Sequence, residues 1–169
     1  PSFNIPLIFS GPGIIKGVSE TFVSQLDLAN TLLDLADAEN LKGHRVDSKT
    51  LDLSDLNSQN RKMLFMEQEE SRAIRNERWL YIERFNKDSL NYLGNELYDL
   101  KEDPDERNNL SNSVSHKNII SSLSKELSQY YNKFSDPKFN LWAGGSAKSN
   151  VSNPSFWKKA WGSKWKTTI

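Results

Sequence analysis

Cysteine is absent from the 169 residues. That removes a disulfide framework, a thiol nucleophile and any thiolate metal site. Histidine is scarce: His44 sits in a polar stretch and His116 at a predicted helix start, and neither has a second ligand at metal spacing. Charge of one sign is not in excess, since 22 Lys and Arg meet 22 Asp and Glu. That balance gives no reason to expect nucleic acid as a partner. No apolar run approaches the roughly 18 residues that a bilayer-crossing helix needs, so a membrane is not expected either. The opening PSFNIPLIFSGPG lacks an initiator Met, a basic n-region and a small-residue cleavage site. The patterns GxSxG, HExxH, Walker A and GxGxxG do not occur.

What is present reads as the end of something larger. Ile5, Leu7, Ile8 and Phe9 form a short apolar run closed by Gly11-Pro12-Gly13. Such a run suits a strand buried on both faces of a parallel sheet. No βαβ unit precedes it, so its neighbours are expected upstream, and an unpaired edge there invites self-association. A helix follows, with Asp27 as its expected N-cap. Leu28, Leu32 and Leu35, with Ala29, Leu33 and Ala36, supply an apolar face at helical spacing, and Gly43 ends the segment. Residues 44–60 read as a polar loop with a short turn at 51–56.

Next comes a meander. The strands are expected at KMLFMEQ, SRAIRN, RWLYIERF and ELYDL. In the third, Trp79 and Tyr81 alternate with Leu80 and Ile82, so both sheet faces are apolar. A helix must cover one of them. SVSHKNIISSLSKELSQYYNKFS supplies it, with Ile120, Leu123, Leu127, Tyr130 and Phe134 at three- and four-residue intervals. Ser115 is its expected cap, and Asp136-Pro137 its end.

Two features carry chemistry on their own pattern. Glu67 and Glu69 share one face of a strand, where they could hold a cation or share a proton; a solvated hairpin tip is the commoner fate of such a pair. The tail sets Trp157, Trp161 and Trp165 at four-residue spacing among Lys158, Lys159, Lys164 and Lys166. Such a stripe can lie at a membrane interface or stack on a glycan or single strand. Docking of the tryptophans onto the domain is the simpler reading.

Three segments in order resemble the C-terminal part of the sulfatase family, within the alkaline-phosphatase-like superfamily. IPLIFSGPGIIKG is similar to the strand and turn after the family's last catalytic lysine region. VSQLDLANTLLDLA is similar to the next helix, with Asn30 where proline is common. EQEESRAIRNERWLYI followed by ELYDLKEDPDERNNLS is similar to the closing small sheet; its most specific residues are Glu96 to Leu100, Asp103-Pro104, Glu106 and Asn109-Leu110.

The resemblance implies an α+β fold: a four-stranded antiparallel sheet packed against a long helix, preceded by an orphan strand and helix of the alkaline-phosphatase-like core. The implied divisions are residues 1–60 as the tail end of the catalytic domain, 61–135 as the sheet with its covering helix, and 136–169 as an irregular Trp/Lys-rich tail. The implied activity is hydrolysis of sulfate esters with calcium and formylglycine in the full enzyme.

Neither element is expected in this chain, which has no C/S-x-P-x-R motif and no paired-aspartate metal motif. No catalytic or metal residue is therefore assigned, and the chain alone is expected to be inactive. Its partners would be a missing N-terminal catalytic portion and, in the full enzyme, a sulfated substrate, with a periplasmic or secreted location. The family hairpin that reads Glu-His-Glu-Gly-Asn-Arg-Ala has Gln68, Glu70 and Ser71 in place of His, Gly and Asn here, and Leu80 stands where lysine is usual. Gln68 and Arg72, then His44 and Arg45, are the expected substrate-facing positions. A stand-alone carbohydrate-binding or structural interaction module is the alternative.

Overall fold

The computed structural model describes residues 5–38, 47–58, 61–68, 71–84 and 94–135. His44, Arg45, Glu69 and the Trp/Lys tail lie outside them. Helix α1 spans Leu26–Leu35, and four strands follow: β1 Leu64–Gln68, β2 Ser71–Arg75, β3 Trp79–Arg84 and β4 Glu96–Asp99. A 3₁₀ turn at Val114–His116 leads into α2, Lys117–Phe134. The sheet is an antiparallel meander in the order β1-β2-β3-β4. The α+β fold with a four-stranded sheet and covering helix is the one expected from sequence.

The register explains the core. Ile74 faces Phe65 on one side and Tyr81 on the other, and Tyr81 faces Leu97. Alternate residues share a face, so this cross-sheet row points one way. Leu123 and Leu127 of α2 close over it, and Ile74, Tyr81 and Leu97 are completely or almost completely buried. Burying each such side chain contributes about 1.5–3 kcal/mol. Phe65 extends the row by stacking on Tyr130, with ring centroids 3.8 Å apart and planes 5° from parallel. The opposite sheet face is apolar too, with Ala73 and Leu80 buried on it.

The link between β2 and β3 turns on Asn76, whose Oδ1 accepts from the N–H groups of Arg78 (2.9 Å) and Trp79 (2.7 Å). After β4 the chain folds back on itself. Asp99 receives Arg78 Nε and Nη2 in a two-point ion pair at 3.0 and 2.8 Å, and its carboxyl is held below the usual carboxylate range mainly by that arginine. Glu106, at φ 57°, occupies the left-handed region within the following turn. Asn109 Oδ1 then accepts from Leu97 N–H at 3.1 Å, and Leu110 N–H donates to the Leu97 carbonyl at 2.8 Å. The ELYDLKEDPDERNNL stretch is thus one unit. Its last residues satisfy the outer edge of β4, the edge that would otherwise be open to association.

Three local expectations need correction. Residues 5–10 form no strand, because no described strand lies beside them to pair with. Asp27 is not an N-cap: α1 starts at Leu26 and Asp27 sits in its first turn. Its carboxylate reaches back to accept from Ser24 N–H at 2.8 Å, while Ser24 Oγ accepts from Leu26 N–H at 3.3 Å. That reciprocal pairing resembles a capping box. Ser115 does not cap α2; the helix starts at Lys117 without a side-chain cap, and the Ser113 and Ser115 hydroxyls bond each other and His116 Nδ1.

The face α1 buries is also not the leucine face. Asp27 and Thr31 are buried, while Leu26, Leu32 and Leu35 are exposed. The reason is residues 48–51, which run along the polar side of the helix. Lys49 N–H donates to Asp27 Oδ1 at 2.8 Å, Leu51 N–H to Thr31 Oγ1 at 3.0 Å, and Ser48 Oγ to the Leu26 carbonyl at 2.7 Å. Backbone groups need partners when buried, and α1 offers side-chain oxygens to this segment. Farther along, Ile15 N–H bonds the Leu53 carbonyl at 3.0 Å. A Cβ on Gly17 would stand 2.3 Å from Leu56 Cδ1, so a larger residue there has to push the Leu56 side chain aside.

Candidate functional site

A groove of about 620 Å³ runs along the edge strand β1. One wall is β1 itself, including Met66, Glu67 and Gln68; the others are Leu7, Gln25 near the start of α1, and Tyr130 and Tyr131 of α2. Concave sites lined by aromatic and apolar groups with a few polar ones are typical of ligand pockets. Burial pushes both tyrosine hydroxyls upward in pKa, so they are neutral hydrogen-bonding groups at physiological pH.

The β1–β2 hairpin places the two described sequence-predicted residues differently. Gln68 is exposed at the end of β1, and its carbonyl accepts from Ser71 Oγ at 2.8 Å. Arg72 faces Glu67 across the hairpin and donates Nε to its Oε2 at 2.7 Å. The same guanidinium lies 3.9 Å over the Tyr131 ring, a cation–π contact that fixes it from the α2 side. Glu67 and Gln68 are consecutive, so they point to opposite faces. Arg72 shares the face of Glu67, and Gln68 shares that of Ser71. The structure therefore does not bring Gln68 and Arg72 together. His44 and Arg45 lie outside the described residues.

The strongest electrostatic feature was not foreseen in sequence. Arg61, just before β1, is clamped between two aspartates. Its Nε donates to Asp27 Oδ2 at 2.8 Å, Nη2 to Asp27 Oδ1 at 2.5 Å, and Nη1 to Asp47 Oδ2 at 2.6 Å; Nη2 also bonds the Asp47 carbonyl. Burial alone would raise the Asp27 pKa. The Arg61 bond and the Ser24 and Lys49 N–H groups outweigh it and hold the carboxyl below its ordinary range. Asp27 pushes Arg61 further up against the opposing effect of burial. No local pattern announces this clamp, because its partners are separated by 34 and 14 residues.

Arginine–carboxylate pairing recurs elsewhere. Arg84 meets Glu96 at 2.6 Å, and Glu96 also accepts from the Tyr98 hydroxyl at 2.6 Å. Burial, then that bond, pushes the Tyr98 hydroxyl up to about 12. Six acids, Asp27, Asp47, Glu67, Glu96, Asp99 and Asp105, are thus paired with arginines. Among the described residues no cluster of three or more His, Cys, Asp or Glu could hold a metal ion. Nor is any helix among them long and apolar enough to cross a membrane.

Comparison with known proteins gives a consistent picture. A family model described as N-sulphoglucosamine sulphohydrolase, C-terminal, matches residues 1–133. Among solved structures, a candidate sulfatase from Bacteroides thetaiotaomicron superposes with a TM-score of 0.64 at 26% identity, over 84% of this chain and 32% of its own. A 2-O GAG sulfatase superposes with a TM-score of 0.59 at 26% identity, over 86% of this chain and 32% of its own. A protein solved with its substrate D-glucosamine-2-N,6-O-disulfate shares the fold at 23% identity and TM-score 0.53, over 68% of this chain and 25% of its own. The chain spans about a third of the length of the first two. Comparison with curated proteins by sequence found no match.

Proposed function

Because the chain belongs to the N-sulphoglucosamine sulphohydrolase C-terminal family, we propose that it is the C-terminal portion of a sulfuric ester hydrolase, contributing packing and recognition of a sulfated carbohydrate. The observation that carries this reading is the family match over residues 1–133, joined to a meander-plus-helix fold shared with a 2-O GAG sulfatase. The working enzyme then needs a preceding catalytic portion to hold the formylglycine and the calcium. The described residues do not fit either group. There is no Cys to convert and no C/S-x-P-x-R motif, and Asp27, Asp47, Glu67, Glu96 and Asp99 already bind arginines.

The roles left to this chain are binding and positioning. Gln68, exposed at the end of β1, is the proposed direct substrate contact of the hairpin. Arg72 suits sulfate, since its planar fork makes charge-assisted bonds to oxyanions. Its bond to Glu67 and its seat on Tyr131 pre-orient it. His44 and Arg45 are retained as proposed contacts outside the described residues. The proposed divisions are 1–60, 61–135 and 136–169, and the proposed location is periplasmic or secreted. In isolation, the exposed Ile5, Leu7 and Ile8 favour self-association of the chain.

Two measurements test the reading. The purified chain, incubated with an aryl sulfate or a sulfated glycosaminoglycan, releases no sulfate; release by the chain alone contradicts the proposal. The reading frame upstream of residue 1 encodes a C/S-x-P-x-R motif; an upstream frame without one contradicts it too.

A further inference from the structure

Six arginines fall among the described residues, and five of them have a carboxylate. Arg61 has Asp27 and Asp47, Arg72 has Glu67, Arg78 has Asp99, Arg84 has Glu96, and even the exposed Arg107 has Asp105 at 2.9 Å. Arg75 is the exception. Its Nε is buried with no hydrogen-bond partner, and the contact that its guanidinium makes is with the Phe22 ring, 5.8 Å from the centroid. Arg75 stands between Leu64 and Leu80 in register. Alternation puts it on the sheet face turned away from α2, with Ala73. A buried donor without an acceptor costs about 1–3 kcal/mol, and more when charged. A sheet that matches its other arginines does not hold this one unmatched without a use.

The surroundings indicate what the use is. Phe22, the residue on the guanidinium, belongs to the segment that also carries the exposed Ile5, Leu7, Ile8, Leu26, Leu32 and Leu35. Exposed apolar groups in that number along one segment are what a covering polypeptide would bury. An arginine beside an apolar patch is a common anchor of protein interfaces, because its fork takes a carboxylate through two bonds while its stem packs on apolar groups. A free sulfated glycan would use the charge but leave the leucines in water.

We propose that Arg75 is the polar anchor of the interface between this chain and the polypeptide that precedes it, taking an Asp or Glu side chain of that polypeptide in a two-point ion pair. This rests on the reading that a catalytic portion lies upstream. It adds a specific residue and a specific partner chemistry to that reading.

The test uses the full 169-residue chain and, as a separate protein, the polypeptide encoded directly upstream of residue 1. Calorimetric titration of one into the other gives the dissociation constant. Arg75→Met weakens association by at least about tenfold. Arg75→Lys, which keeps the charge and the stem, falls between Met and the native chain because a lysine cannot reproduce the fork. Arg107→Met leaves association unchanged. Circular dichroism and the urea midpoint of each variant establish that it is folded; if Arg75→Met is unfolded, the Lys variant alone decides. Equal affinity for native, Met and Lys chains overturns the anchor while leaving the functional reading intact. No association by the native chain overturns both. A heparin-derived hexasaccharide provides the third arm: its binding is insensitive to Arg75→Met, and a loss confined to this ligand would make Arg75 a glycan contact and overturn the proposal.

Discussion

Between residues 61 and 135 the buried side chains are mostly apolar: Ile74, Tyr81, Leu97, Leu123 and Leu127. Between residues 5 and 58 they are Asp27 and Thr31, while Ile5, Leu7, Ile8, Leu26, Leu32 and Leu35 face water. Both regions contain a helix of apolar periodicity. In the sheet region, α2 turns its leucines onto the sheet. In the leading region, α1 turns its acid and threonine inward, onto backbone N–H groups and Arg61. One region has a hydrophobic core of its own. The other is held to the rest largely by ion pairs and hydrogen bonds and offers its apolar surface outward. Apolar burial dominates folding energetics, so this difference separates a region with an apolar core from one that offers its apolar side chains outward.

The largest effect is expected in the region with the apolar core. Tyr81→Ala and Leu97→Ala each remove a fully buried side chain from the row under α2, at a cost of about 2–5 kcal/mol. Against a total of about 5–15 kcal/mol for a domain, either shifts the urea unfolding midpoint strongly downward. An unchanged midpoint would mean that the sheet is not the stabilising unit.

Next in size is the clamp. Arg61→Met leaves the buried Asp27 and the partly buried Asp47 without their cation, which costs about 3–5 kcal/mol. Hydrogen exchange locates the loss: the Lys49 and Leu51 amides, which donate to Asp27 and Thr31, lose protection while those of β2 and β3 keep it. Equal loss across both regions would erase the contrast.

Acid gives a smaller version of the same contrast. Asp27 has a folded pKa below its ordinary value. Its contribution is therefore present above the unfolded carboxyl pKa, about 4, and is lost as pH falls through the folded value. The Asp99 carboxyl shifts the same way. Its partner Arg78, however, is 50% exposed, against 5% for Arg61, so screening reduces what that pair contributes. On acidification the Lys49 and Leu51 amides are expected to lose protection before the β2–β3 core. The reverse order would contradict the account.

Smallest of all, Leu32→Ser and Leu35→Ser are expected to leave the urea midpoint of the chain within about 0.5 kcal/mol. On the proposed interface, they are expected to weaken association with an upstream polypeptide, read by calorimetric titration. A large loss of stability in the chain alone would show that these leucines already have a partner within it.

The contrast also separates what the sequence made legible from what it did not. Alternation of two located all four strands, because Phe65, Ile74, Tyr81 and Leu97 obey one local rule on one face. The stripe from Ile120 to Tyr130 located α2 in the same way. For α1 the leucine spacing was equally regular and indicated the wrong buried face, since the deciding partner is an arginine 34 residues away. Residues 109–110 closing the edge of β4 were readable as a motif but not as a mechanism, because the Asn109 amide bonds a strand 12 residues back. At the hairpin, Glu67 and Arg72 face each other only through the register, so the separation of Arg72 from Gln68 needed the turn length. Arg75 did leave a signal: a charge on the strand face that carries Ala73, in register with Leu64 and Leu80.

The central claim is that this chain completes a sulfatase rather than acting alone. Sulfate release from a sulfated glycosaminoglycan tests it most directly, measured for the upstream polypeptide, for this chain, and for the two mixed in equal amounts. The account predicts release by the mixture and little or none by either component. Release by this chain alone, or full release by the upstream polypeptide without it, would contradict the claim.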